Sequence, residues 1–268
     1  MAMAMEAQLN VREGHMGKPI LLLRLEGPLQ SWGTRSRWDV RDTAAEPTKS
    51  GIVGLLGCAL GYLMGDARLE ELDGALRFGV RIEHPGSLIT DYQTITDFLP
   101  TADGRFRVSG GTLNGPSAKL TEEGFRPATV LSPRTYLEDA AFLVALEAKS
   151  DDKVLSSCAQ ALQRPQWPLF LGRKACVPTR PIFEYYGDQY STIEEAFGHH
   201  PWSWLSACRE PRTKLPETNL VAFIEEASGD LVRQDAIRLN ASRNYAFRNV
   251  KRCTYMPVAA SRAAEVSS

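Results

Sequence analysis

Residues 20–33 read ILLLRLEGPLQSWG. The first six are apolar except for Arg24, too few for a membrane span of roughly 20 residues and the right number for a buried strand. Gly27-Pro28 is an ordinary strand end. The next residues are less ordinary: Gln30, Ser31, Trp32 and Gly33 place an amide, a hydroxyl, a large ring and a flexible exit in succession, with Arg35, Arg37, Trp38 and Arg41 close behind. Trp32 then has two readings. It stacks on a ligand, or it pins the exit loop against the rest of the fold.

Outward from this strand the pattern alternates in type. Thr48 to about Leu63 predicts a helix, with Thr48 or Ser50 as its cap. LRFGVRIE at 76–83 alternates apolar and polar and predicts a half-buried strand. Residues 90–135 carry ADG, SGG and NGP turn signals among short β-prone runs and predict an extended hairpin. AAFLVALEA at 140–148 is apolar throughout and reads as a strand, although its Ala, Leu and Glu also suit a helix. A helix over 151–162 and a last strand within PLFLGRKACVPTRPIF complete the order βαββαβ. The fold class expected is therefore α+β, a ferredoxin-like or RRM-like (RNA-recognition-motif) domain over 19–184. Residues 1–18 are expected to be a disordered tail, in which Met16 is a candidate natural start. Residues 185–268 are expected to be a small C-terminal extension, with one helix near Ser191–Phe197, otherwise irregular, and a frayed end.

Composition narrows the function. The formal net charge is −1, so a nucleic-acid contact has to come from local patches. Two qualify. Residues 165–180 hold Arg173, Lys174 and Arg180 without an acid. Residues 233–252 hold Arg233, Arg238, Arg243, Arg248, Lys251 and Arg252 against Asp235, with Tyr245 and Phe247 interleaved. Cations and rings in alternation suit a single strand, and a solvated face with core aromatics reads the same way. Cys58, Cys158, Cys176, Cys208 and Cys253 form no C-x-x-C pair, so no zinc or redox motif is expected and the thiols suit a reducing, cytoplasmic setting. His199-His200 offers a general base for RNA cleavage with Tyr185, Tyr186 or Tyr190 beside it, yet nothing in the spacing fixes a catalytic partner. No catalytic residue, metal or cofactor is expected.

PTKSGIVGLLGCALG at 47–61 carries a second signal. At 100° per residue, Gly51, Gly54, Gly57 and Gly61 share a sector about 120° wide, opposite Ile52, Leu55, Leu56 and Ala59. Interior glycines weaken a helix by roughly 1 kcal/mol each. Something should approach that face closely: another backbone, a partner subunit or RNA. At the start of the helix, Thr48, Lys49 and Ser50 are expected to form a phosphate anchor. A nucleotide P-loop is excluded, because Glu46-Pro47 stand where its glycines belong.

Four blocks together resemble the CasD family, the Cas-five-type subunits of the type I-E CRISPR surveillance complex called Cascade. They are LLLRLEGPLQSWG, PTKSGIVGLLGCALG, TDYQT with the later TYLEDAAFLVAL, and PLFLGRKACVPTRPIF, spanning about 20–184. The resemblance implies a modified RNA-recognition fold with a thumb-like hairpin at about 88–135. It implies a non-catalytic, RNA-binding subunit that grips the repeat-derived 5′ handle of the crRNA and caps one end of the complex. The implied partners are the backbone subunit CasC, the large subunit CasA and, through the assembled complex, target DNA, in antiviral defence. Relatives in type I-C systems cut precursor RNA, so a metal-independent endoribonuclease acting on repeat RNA is the alternative.

Under this resemblance, Gln30, Ser31 and Trp32 are expected to meet bases, and Arg35, Arg37 and Arg41 to reach phosphates, with Asp39 and Asp42 partly neutralising that loop. Thr48, Lys49 and Ser50 would anchor a phosphate. Gly172, Arg173 and Lys174 would let the RNA backbone approach closely, with Arg134 and Tyr136 contributing at the thumb base. Gly51, Gly54, Gly57 and Gly61 are expected to form a partner interface. The loops 26–33, 47–51 and 171–174 should therefore converge at one end of the fold.

Overall fold

The computed structural model describes residues 18–33, 41–98, 101, 103–113, 123–204, 215–239 and 243–259. Residues 1–17 of the tail expected at 1–18, the frayed end beyond 259, Arg35 and Arg37 lie outside the described residues. Among the described residues no helix is long and apolar enough to cross a membrane.

Strand β1 (Ile20–Glu26) is buried along its whole length, between β8 (Ala141–Ala148) and β9 (Phe183–Gly187). Position in the sheet settles the ambiguity of AAFLVALEA. It becomes β8 because it lies between β1 and β3 (Leu76–His84) and has both faces covered. Helix α1 (Lys49–Leu60) connects β1 towards β3, followed by a shorter α2 (Arg68–Ala75) whose residues show no clear apolar period. Helix α3 (Lys153–Gln163) connects β8 to β9. Leu21, Leu23 and Leu25 face the core formed with α1 and α3, while Ile20 and Leu22 face a second core under α4 (Ile193–His199).

The excursion between β3 and β8 leaves the sheet as a long ribbon. Strands β4 (Ser87–Asp97) and β7 (Ala128–Glu138) pair in unbroken antiparallel register from Ser87↔Glu138 to Asp97↔Ala128. Strand β2 (Leu29–Gln30) joins the base of this ribbon, and β5 (Phe106–Val108) with β6 (Gly111–Leu113) form a small hairpin farther out.

The C-terminal region differs most from expectation. Beyond α4 it is strand rather than irregular: β10 (Leu220–Glu225), β11 (Leu231–Leu239) and β12 (Arg243–Tyr255) extend the main sheet. The order is β11-β12-β10-β3-β8-β1-β9, so the sheet runs without a break across the expected boundary at 184/185. Acids pair with Arg233, Arg238, Arg248 and Lys251 of the basic run, and two of these acids, Glu46 and Glu70, lie far away in sequence. Arg248 is bidentate on Asp235 at 2.6 and 3.0 Å, Arg233 meets Glu46 at 2.7 Å, and Arg238 and Lys251 lie near Glu70 and Glu226.

Lys49 requires a correction. It is 3% exposed, and its ammonium sits 2.9 Å from Glu225 and 3.7 Å from Asp73. Its backbone N–H donates to Asp235 Oδ2 at 2.8 Å. The first donor of α1 and its only lysine are thus spent on carboxylates of the protein, and Lys49 is not available to a phosphate. Burial pushes both partner acids up. The nearer Lys49, with Lys149, outweighs burial at Glu225 and holds it low, whereas Asp73 remains raised. This cluster clamps α1 to α2 and to strands β10 and β11.

The glycine stripe is also mostly internal. A Cβ at Gly51 would lie 2.9 Å from the Trp32 ring, and one at Gly57 would collide with Leu69 of α2. Gly61 is the left-handed C-cap of α1 at φ 76°, with Gln166 packed against it. Of the four, only Gly54 has open space before it. The close approach inferred from the sequence exists, but intramolecular neighbours make it, and a partner interface across all four glycines is not supported.

A second ionic cluster fixes the 197–204 segment to the sheet. Arg24 is 1% exposed, held by Glu83 at 3.3 Å and Glu184 at 3.0 Å, and Arg81 bonds Glu83 at 2.6 Å. His200 Nε2 reaches Glu184 at 3.1 Å. Burial raises the Glu184 carboxyl, but His200, Arg24 and Arg180 outweigh it and hold it at about 2. A carboxyl depressed on folding stabilises the native state above its unfolded value of about 4.3, and that contribution is lost as pH falls through the folded value. Acid titration by tryptophan fluorescence should therefore show unfolding between about pH 4.3 and 2 with a Glu184 contribution. Glu184→Gln should remove that contribution and flatten the transition, and an unchanged titration would contradict the assignment. Lys49→Met should lower unfolding free energy by about 3–5 kcal/mol in urea, because it leaves the buried Asp73 carboxylate without its lysine and Glu225 with Lys149 alone. A loss below about 1 kcal/mol would place Lys49 at the surface.

Candidate nucleic-acid interface

The exit of β1 is built by one buried side chain. Gln30 is fully buried, and its amide nitrogen donates to the carbonyls of Leu25 at 3.1 Å and Ala140 at 2.7 Å. Its amide oxygen accepts from Trp32 Nε1 at 3.1 Å. The amide donors and the indole N–H are thus satisfied internally. Trp32 is 1% exposed and lies over Gly51. Neither residue presents a surface to a base, which corrects that expectation and settles the two readings of Trp32: it pins the loop against α1. The Trp32 carbonyl accepts from the Ala44 N–H at 2.7 Å, bringing the segment before α1 alongside the exit.

The third loop docks on the same exit. The Ser31 N–H donates to the Leu171 carbonyl at 3.0 Å. Gly172 follows in the left-handed region at φ 98°, and a Cβ there would collide with the Ser31 carbonyl oxygen. Only glycine permits both the turn and the contact. Arg173 then bridges outward, donating to the Thr135 carbonyl at 2.9 Å and the Asp42 carbonyl at 3.0 Å, with its guanidinium 4.7 Å over the Tyr136 ring. Tyr136 is 2% exposed, so it acts as a support beneath Arg173 rather than as a stacking platform. The Arg41 N–H donates to the Pro133 carbonyl at 3.1 Å, its carbonyl accepts from the Thr135 N–H at 2.8 Å, and Arg41 forms a parallel bridge with Arg134. Arg134 is half-buried, with its Nε in a buried position without a hydrogen-bond partner. Lys174 is exposed at the edge of the loop.

Together these contacts enclose a groove of about 340 Å³. Ser31, Trp32 and Gly33 line one side, Thr48, Ser50 and Gly51 the second, and Gly172 and Arg173 the third, with Arg41 and Tyr245 between. The three loops converge as expected. Among the described residues, the lining holds two guanidinium groups and no carboxylate. Thr48 caps α1 by accepting from the Gly51 N–H at 3.2 Å, and Ser50 Oγ lies 3.5 Å from its hydroxyl. A concave site with two arginines, small hydroxyls and a glycine backbone suits an anionic chain that has to come close.

Tyr245 is the lining side chain that sequence reasoning did not assign to the site. Tyr245 carried a signal, its place in the basic-aromatic run. Arg41, expected together with Arg35 and Arg37 to reach phosphates, does line the groove. Elsewhere, both ring nitrogens of His200 are engaged, Nε2 by Glu184 and Nδ1 by the Tyr190 hydroxyl at 3.3 Å, and the side chain is 13% exposed. His199 is exposed and rests on the Glu195 carbonyl at 3.0 Å. Among the described residues no group of three or more His, Cys, Asp or Glu side chains is arranged to hold a metal ion.

Comparison with known proteins adds an independent line. The family model for CRISPR-associated protein (Cas_Cas5) matches residues 20–251. The curated protein named CRISPR system Cascade subunit CasD, from Escherichia coli strain K12, is 33% identical over 219 residues, covering 73% of this chain and 90% of its own. A solved chain described as a CRISPR RNA-guided surveillance complex superposes with a TM-score of 0.65 at 27% identity, covering 89% of this chain and 90% of that one. Another, described as a crystal structure of a Cas protein, gives 0.58 at 32% identity over 89% and 95% of the two chains. The mixed α/β architecture with antiparallel sheets is therefore that of solved Cas proteins, and the chain belongs to the Cas5 family of CRISPR-associated proteins.

Proposed function

We propose that this chain is a non-catalytic subunit of a Cascade-type surveillance complex and holds the 5′ handle of the crRNA in the three-loop groove. The observation that carries the reading is the groove itself. Loops far apart in sequence are locked together around Arg41 and Arg173, with no acid among the described lining residues. RNA handles held in one shape require phosphate anchors on a rigid frame, and buried residues such as Gln30 and Trp32 supply the frame. Strands β3, β8, β1 and β9 with α1 and α3 read as a ferredoxin-like unit, to which β10–β12 are added. The relative's name supplies the Cascade assembly. In our reading its neighbours there are a backbone subunit CasC and a large subunit CasA, with target DNA reached through the complex. The β4–β7 ribbon would serve as the thumb. Its Thr90, Tyr92, Thr94 and Thr96 share one face with Thr129, Leu131 and Pro133, and Tyr92 is 66% exposed there. In this reading the chain caps one end of the complex.

The absence of catalysis is part of the proposal. Support comes from His200, whose ring is committed to Glu184 and Tyr190 within a structural ion cluster. Incubation of repeat RNA without metal should leave it intact on a denaturing gel. Specific cleavage that is lost in His200→Ala would overturn this part.

Binding should respond differently at two positions. Arg41 is exposed, and among the described residues its contacts to the fold are made by its backbone. Arg41→Gln should weaken handle RNA evenly and reduce the salt slope by about 1, with unfolding unchanged. Gly172→Ala should push the loop off Ser31, lowering both stability and affinity. Unchanged affinity in both variants across a salt titration would exclude the groove as the RNA site.

A further inference from the structure

A second cavity adjoins the groove across Thr48. The loop 42–48 and strands β10–β12 enclose about 400 Å³, the size of a small-ligand site. Its charge is of the other kind. Asp42, Glu46 and Asp235 set three carboxylates against two guanidinium groups, Arg233 and Arg248, whereas the described lining of the groove has two arginines and no acid. A phosphate is favoured in the groove and disfavoured here. The inner wall is apolar, with buried Val80 and Val250 beside Phe223, and the Arg233 guanidinium lies 5.1 Å over the Phe223 ring.

The polar groups divide into committed and available ones. Both oxygens of Asp235 are engaged, by Arg248 and the Lys49 N–H. Glu46 and Arg233 stand at the rim, joined by one contact at 2.7 Å, with side chains 15% and 36% exposed. That contact uses one carboxylate oxygen and one guanidinium nitrogen, and leaves the others. An apolar wall, a guanidinium plane and an acceptor–donor pair at the mouth are the elements that read an unstacked base. Among the four bases, guanine presents two adjacent N–H groups to a carboxylate on its Watson–Crick edge, and its O6 accepts from arginine.

We propose that this cavity receives one unstacked guanine of the single-stranded RNA whose backbone lies in the adjoining groove. Glu46 accepts from its N1–H and N2 amino group, and Arg233 donates to O6. The shared wall at Thr48 places base and phosphate sites side by side, as a single nucleotide requires. The assignment rests on the reading of the groove as the RNA site.

The test is fluorescence anisotropy of the full chain with repeat-derived single-stranded RNA from the CRISPR array of the same genome, made abasic at one position at a time. One guanosine should stand out, its removal weakening binding about tenfold or more, as expected for hydrogen bonds to charged groups. Inosine at that position, which lacks the N2 amino group, should reproduce part of the loss. In Glu46→Gln, and independently in Arg233→Lys, the response to that guanosine should shrink while the salt slope stays as in the unaltered chain. Equal tolerance of every abasic position, with the salt slope intact, would overturn the pocket and leave the groove standing. A sensitive position that is not guanosine, or one whose response is unchanged in both variants, would also overturn it. Failure of the chain to bind the RNA at all would overturn both readings.

Discussion

The interface depends on one amide. Gln30 lies in a fully buried position where an unpaired polar group would be heavily penalised, so its three bonds to Leu25, Ala140 and Trp32 set the local geometry. They join the end of β1 to the start of β8 and orient the indole. The indole then determines how closely α1 can approach, which is why Gly51 faces it. Once the exit is rigid, the Ser31 backbone can receive the 171–174 loop, and Arg173 can tie that loop to the ribbon base and the 41–42 segment.

This arrangement separates two jobs that look like one in the sequence. Gln30, Trp32, Lys49 and Tyr136 are chemically apt for RNA, and the structure uses all four inside the protein. The groups left at or near the surface are backbone at Gly33 and Gly172, the half-buried Ser50 hydroxyl, and the arginines at 41 and 173. The large side chains position, and the groove presents cations and backbone. A rigid frame of this kind lowers the ordering cost of holding an extended polyanion in one shape.

The strands β1, β3 and β8 and the helices α1 and α3 were legible because long apolar runs and caps are local signals. So was the convergence of three loops, because each loop leaves an element whose direction the order of strands constrains. The C-terminal strands were not legible. In RNYAFRNVKRCTY the alternation is obscured by arginines, and remote acids that balance part of this basic region, Glu46 and Glu70, are supplied by tertiary contact. The same holds for Lys49: a lysine at a helix start reads as a phosphate anchor until distant Glu225 and Asp73 are seen beside it. The glycine stripe announced close approach correctly but could not say that Trp32 and Leu69 make it.

If RNA crosses the end of the fold where the three loops meet, its bases must lie within bonding distance of those loops. Ultraviolet crosslinking with 4-thiouridine placed throughout the repeat RNA, followed by mass spectrometry of the modified peptides, reads that proximity without assuming which side chain binds. Crosslinks are expected within residues 31–33, 41–51 and 171–174, with Tyr245 as the C-terminal contribution. Crosslinks confined to the β9 edge or to the outer surface of α3, with none in those loops, would contradict an RNA path through the groove.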